Sequence, residues 1–114
     1  RETGFSLVTG IRANPTNRAN YGCSNADFVP VTVRAEFYTS NTPNGGSPAV
    51  VEEFALPAGG WGQRAVPVQD EQIRILYWVK SGGGNLGVYC YGVNVNNASN
   101  DGTSIPAVFV PLIR

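Results

Sequence analysis

The sequence contains no histidine and no methionine, a single lysine (Lys80), only two cysteines, and no run of apolar residues long enough to cross a membrane as a helix. Without histidine, Ser–His and Cys–His nucleophilic pairs cannot form, and the commonest general base and neutral metal ligand are both missing. A Ser–Lys arrangement would rest on Lys80, which ends an alternating segment and reads as a solvated edge charge. Charge is scarce as well. Charged residues make up 14% of the chain, against about 25% in an average soluble domain. Eight basic and eight acidic side chains leave a formal net charge of zero, which argues against a nucleic-acid groove or a polybasic membrane patch.

What is present points to strands and turns. There are 14 valines against five leucines, with 14 glycines and eight prolines, in a chain of 114 residues. That length suits one domain with a single core, and the valine bias favours pleated, half-buried segments. Eleven asparagines, with Ser, Thr and Gly, must supply the polar surface. A lysine-poor composition of this kind is commoner in extracellular modules than in cytosolic enzymes. A start at Arg1, without methionine or a visible signal peptide, reads as a processed or trimmed chain. Cys23 and Cys90 have neither the spacing of a C-x-x-C redox pair nor enough partners for a zinc site. A disulfide is the preferred reading over two free buried thiols, and it implies an oxidising compartment, secreted or at the cell surface.

Period-2 alternation runs through the chain, with no helical periodicity of useful length. Strands are expected over Gly4 to Ala13 (Phe5, Leu7 and Ile11 on one face), Phe28 to Thr39, Ala49 to Leu56, Trp61 to Val68, Gln72 to Lys80, Leu86 to Val95 and Ile105 to Ile113. Asn14 to Asp27 reads as a turn-rich stretch, Asn41 to Pro48 as a loop with a tight turn at Asn44-Gly45, and Asn96 to Ser104 as a polar loop. Leu86 to Val95 is expected to return as the hairpin partner of Gln72 to Lys80. Seven strands at this spacing predict an antiparallel immunoglobulin-like or fibronectin-like β-sandwich with one disulfide, a small barrel or jelly roll being the alternative. Trp78 lies between the cysteines, but Cys23 falls in a predicted loop, unlike the antibody-type pattern.

Catalytic constellations are weak. Glu52 and Glu53 are adjacent on a strand and point to opposite faces, and Asp70 and Glu71 sit in a turn, so a carboxylate pair of glycosidase type would have to form across the sheet. Gly82 to Gly87 matches G-x-G-x-x-G formally, but a valine- and tyrosine-rich strand follows where a phosphate-binding helix is needed. Asn96 to Asp101 offers oxygen atoms but one carboxylate, too few for a convincing calcium loop; no cofactor or metal is expected. Asn97-Ala98-Ser99 is a formal glycosylation sequon. Trp61, Trp78 and Tyr89 are the candidate ligand-stacking aromatics for a glycan. Trp78 and Tyr89 fall on the expected hairpin, and Trp61 falls in a glycine-rich turn. The competing reading is ordinary core packing.

The order of short motifs resembles a known group. Asn14-Pro15-Thr16 follows the first strand, then Val31-Thr32-Val33-Arg34-Ala35-Glu36-Phe37-Tyr38 and Phe54-Ala55-Leu56-Pro57-Ala58-Gly59-Gly60-Trp61-Gly62-Gln63. Val88-Tyr89-Cys90-Tyr91-Gly92-Val93 comes later, and the closing element is Asn97 to Ala107. This is similar to the immunoglobulin-like or fibronectin-like β-sandwich modules of secreted and cell-surface bacterial proteins. The resemblance implies fold and compartment, and no site residue. The Asn17 to Asp27 segment with Cys23 and the tail from Val108 to Arg114 depart from it.

Two function classes follow as expectations. The first is a non-catalytic structural or adhesive module whose partners are proteins, either copies of itself or neighbouring domains. In its assembly version, Val108, Phe109, Val110, Leu112 and Ile113 add a strand to a neighbour's sheet to build a surface fibre. The second is a carbohydrate-binding accessory domain of an exported enzyme.

Overall fold

The computed structural model describes residues 4–42, 46–82 and 87–111. Among these residues nine strands form: β1 (Gly4–Ala13), β2 (Asn17–Asn25), β3 (Val31–Tyr38), β4 (Val50–Leu56), β5 (Trp61–Ala65), β6 (Asp70–Ser81), β7 (Val88–Asn96), β8 (Gly102–Pro106) and β9 (Val108–Pro111). They make two sheets, β4-β3-β6-β1-β9 and β5-β2-β7-β8, with every pairing antiparallel. The expected all-β sandwich is therefore observed, with nine strands in place of seven. Among the described residues no helix is long and apolar enough to cross a membrane.

The additional strands have identifiable origins. The segment expected to be turns, Asn17–Asn25, is β2, the second strand of the four-stranded sheet. Its inward positions, Ala19, Tyr21 and Cys23, are buried, while Arg18, Asn20 and Ser24 alternate with them. Cys23 is thus a strand residue. The closing segment is two strands because the chain changes sheets at Ala107. The chain leaves β7 there, Ala107 N donates to Cys90 O, and Val108 joins β1 of the other sheet.

The expected hairpin between the sixth and seventh strands does not form. Both edges of β6 are occupied, by β3 and β1, and β7 lies in the opposite sheet between β2 and β8. The first strand also departs from simple alternation. A register shift between Val8 and Ile11 inserts an extra residue, with Gly10 at φ 80°, a conformation glycine adopts without steric cost. Val8 and Ile11 both enter the core, while Leu7, opposite Leu76, faces outward with Phe5. The backbone groups freed by this bulge are not orphaned. Asn94 on β7 donates to Gly10 O and accepts from Arg12 N at 2.9 and 3.0 Å, stitching the two sheets together.

The core between the sheets is built from Val33, Ala35 and Phe37 of β3, Ile73 and Ile75 of β6, and Tyr21 of β2, each at most 1% exposed. Tyr21 packs edge-on against Phe37, with ring centroids 4.9 Å apart. Burying phenolic hydroxyls requires partners, and both core tyrosines find theirs across the sandwich. Tyr77 O–H donates to Tyr91 O at 2.7 Å, and Tyr21 O–H donates to the Glu52 carboxylate. Burial pushes both phenols above their usual range, the Glu52 carboxylate adding to the effect at Tyr21.

Cys23 and Cys90 form the disulfide, between directly opposed residues of β2 and β7 whose Cα atoms are 4.0 Å apart. It lies within one sheet, unlike the inter-sheet bridge of antibody domains.

Candidate functional site

A shallow groove of about 590 Å³ lies on the outer face of the five-stranded sheet, lined by Phe5, Leu7, Leu76, Tyr38, Arg34, Glu36 and Arg74, with Pro48 among the residues at its rim. Its charged groups are largely committed to one another. Glu36 is only 3% exposed, and its carboxylate accepts from Arg34 Nε at 2.9 Å, Tyr38 O–H at 2.8 Å and Trp78 Nε1–H at 3.1 Å. That contact with Glu36 is the main reason the Arg34 guanidinium is held more strongly protonated than usual. Glu53 bridges Lys80 and Arg34 at 3.1 and 3.5 Å, and the Lys80 ammonium, hydrogen-bonded to it, holds its carboxyl below the ordinary range. The guanidinium of Arg34 lies 5.9 Å from the Trp78 ring centroid, and that of Arg74 lies 5.2 Å from the Tyr38 centroid. Cations thus cover these aromatic faces, and Trp78 is anchored through its indole nitrogen.

The outer face of the four-stranded sheet is different in kind. Ser24 on β2 is opposed by Trp61 on β5 and by Tyr89 on β7. The two aromatics therefore stand on the same face, two strand spacings or about 10 Å apart at the backbone. Trp61 is 68% and Tyr89 65% exposed. Between them the floor is Ser24 and, one row along, Gly22, where a Cβ would come within 2.4 Å of the Gly62 carbonyl oxygen and 2.6 Å of the Tyr91 hydroxyl. Tyr91 O–H passes over this glycine to Gln63 Oε1 at 2.8 Å, closing the end of the trough. By register, the outward positions of β5, β2, β7 and β8 carry one ionised side chain, Arg18, which is turned toward Asn97 and Asn100 at the far end of β2.

Buried Asn25 fixes the end of the molecule beside this trough. Its amide nitrogen donates to Val29 O and Pro57 O at 2.9 and 3.1 Å, its amide oxygen accepts from Asp27 N, and its backbone N–H bonds Gly60 O. One side chain therefore holds both the bend leading into Trp61 and the turn carrying Phe28, which is 96% exposed. Phe28 was expected to begin a strand; the ladder starts only at Val31, because residues 26–30 are pinned in a turn by Asn25. On the other side, Tyr89 lines a 390 Å³ cleft at the open edge of the sandwich with Phe109, Pro106 and Ala107.

The structure therefore brings together Trp61 and Tyr89, and separates Tyr89 from Trp78, which lie on the outer faces of opposite sheets. Val108, Phe109 and Val110 of the expected assembly strand pair with Leu7, Ser6 and Phe5 of their own chain as the edge strand β9. Leu112 and Ile113 lie outside the described residues, as do the Asn44-Gly45 turn and Gly83 to Leu86 of the glycine-rich string. The oxygen-rich loop after β7 is internally bonded: Asn96 Oδ1 accepts from Ala98 N and Ser99 N, and Asn97 and Asn100 accept from Arg18. Glu71 accepts from Asn14, and Asp70 from the backbone and hydroxyl of Ser40.

No protein-family model and no curated protein matches the sequence. In fold, the chain is similar to the crystal structure of Thermotoga maritima 1070, with a TM-score of 0.64 and 11% sequence identity, over 100% of this chain and 97% of that one. At that identity the likeness concerns the two-sheet architecture alone.

Proposed function

We propose that this chain is a non-catalytic extracellular β-sandwich module with an adhesive role, which binds through the outer face of its four-stranded sheet. The observation that carries this reading is the pair of exposed aromatics, Trp61 and Tyr89, flanking the Ser24 floor on a nearly charge-free face. Exposed apolar patches rimmed by polar residues mark interaction sites, and aromatic rings with a polar tip suit such surfaces. The cross-strand disulfide supports an oxidising compartment. The carboxylates of Glu36, Glu52, Glu53, Asp70 and Glu71 accept structural hydrogen bonds, which supports a scaffold in preference to acid–base chemistry.

The test is retention of the purified protein on immobilised extracellular polymers, both polysaccharide and protein. Replacement of both aromatics (Trp61→Ala with Tyr89→Ala) is expected to abolish retention without changing the melting temperature. Retention equal to that of the parent would refute the assignment of this face.

A second reading, assembly by sheet extension, is favoured by the position of β9. It is the edge strand of the five-stranded sheet, and Val108 is 67% exposed. Sedimentation that shows concentration-dependent association, dispersed by Val108→Lys, is the expected outcome of that reading; a monomer at all concentrations rejects it.

A further inference from the structure

The adhesive reading leaves the ligand class open. Resting on that reading, we propose that the trough between Trp61 and Tyr89 is a binding site for a neutral, extended polysaccharide chain. The electrostatics select the class. An anionic or cationic polymer would find little counter-charge along this face: Arg18, the ionised outward residue of the sheet, is engaged with Asn97 and Asn100 away from the trough, and Arg64 of β5 takes the inward register opposite Tyr21, its guanidinium 5.1 Å from the Phe54 ring centroid. Uncharged donors and acceptors are what the face supplies: the Ser24 hydroxyl, the Gln63 amide and the Tyr89 phenol. These suit sugar hydroxyls, while the flat faces of the two rings suit the C–H faces of pyranose rings.

The geometry selects an extended chain. Trp61 and Tyr89 are opposite the same residue on either side of β2, so a ligand lying across the strands passes both side chains, whose backbone positions are about 10 Å apart. That separation is the length of one disaccharide unit in an extended, equatorially linked chain, which places alternate sugars over the two aromatics. The small side chain of Ser24 keeps the floor low between them and leaves the intervening sugar room. Gly22 lets Tyr91 cross to Gln63 and close one end of the trough, since any Cβ at position 22 would meet the Gly62 carbonyl and the Tyr91 hydroxyl.

The site is also pre-organised. Cys23 precedes Ser24 and Cys90 follows Tyr89, so the disulfide joins β2 to β7 immediately beside the trough. Asn25 follows Ser24 and bonds the Gly60 and Pro57 carbonyls of the bend leading into Trp61. Both walls are thereby fixed to the floor before a ligand arrives, which lowers the ordering cost of binding. The opposite face does not offer this arrangement, because Arg34 and Arg74 already lie over Trp78 and Tyr38.

Affinity electrophoresis in gels containing soluble neutral polymers (hydroxyethylcellulose, glucomannan, xyloglucan) or anionic polygalacturonate tests this. At least one neutral polymer is expected to retard the parent protein. Trp61→Ala and Tyr89→Ala should each weaken retardation tenfold or more, Trp61→Phe should retain most of it, and Arg74→Ala on the opposite face should leave it unchanged. Circular dichroism melts confirm that each variant is folded. Retardation that survives both alanine variants, or that is strongest in polygalacturonate, overturns the proposal. If neutral polymers give no retardation while aromatic-dependent retention on protein polymers persists, the ligand class is wrong and the adhesive face stands. If alanine at 61 and 89 leaves retention on every surface intact, the adhesive face itself is wrong.

Discussion

Tyr77 shows how a single polar atom ties the two sheets together. Its ring is buried, and its O–H reaches the Tyr91 carbonyl of the opposite sheet at 2.7 Å. Tyr77→Phe keeps the packing and removes the donor, so it is expected to cost about 1–3 kcal/mol, read as a lower denaturant midpoint with an unchanged slope. The tyrosines also set the alkaline limit. Burial raises Tyr21, Tyr77 and Tyr91, while in the unfolded chain each ionises near pH 10. The folded state then holds more protons, so this contribution is intact below about pH 10 and is lost as pH rises toward the folded values. On the acid side the sign reverses. Asp70, held down chiefly by the Ser40 backbone N–H, and Glu53, held down by Lys80, stabilise above their unfolded values, a contribution lost as pH falls through the lower folded ones. Chemical denaturation from pH 3 to 11 is expected to show a plateau with stability falling at both ends.

At the scale of elements, the disulfide and the strand order carry the fold. Cys23 and Cys90 close a loop with a sequence separation of 67, which stabilises by about 4 kcal/mol through the entropy it removes from the unfolded chain. Reduction, or Cys23→Ser with Cys90→Ser, is expected to lower unfolding stability by up to that amount; no change in the denaturation midpoint would contradict it. Much of this level was legible in the sequence. Val31, Val33, Ala35 and Phe37 alternate with polar partners, and the core strands β3 and β6 follow that alternation. β2 was hidden because its alternation is carried by Ala19, Tyr21 and Cys23 among Asn, Gly and Ser, residues that elsewhere make turns. The phase of β1 was misread because a bulge at Gly10 changes which residues face inward, and a period-2 reading assumes none. The partner of β7 was misassigned because neighbouring segments are expected to pair, and here the chain crosses between sheets instead.

The whole molecule presents two unlike outer faces, and this difference was not legible in the sequence. One is cross-linked by Glu36, Arg34, Trp78, Glu53 and Lys80, with its aromatic rings covered by guanidinium groups. The other is almost uncharged and leaves Trp61 and Tyr89 open around Ser24. Trp61 and Tyr89 could be named as candidates from their flanking residues. Their juxtaposition depends on β2, the strand that the sequence concealed, and so does the contribution of Asn25, which holds Phe28 outward. Binding on the four-stranded face can be read residue by residue from amide chemical-shift mapping during titration with a neutral polysaccharide fragment that retards the protein. Perturbations are expected to centre on Ser24, Trp61, Gln63 and Tyr89; perturbations centred on Glu36, Leu76 and Arg74 of the opposite groove would place the site on the wrong sheet and refute this assignment.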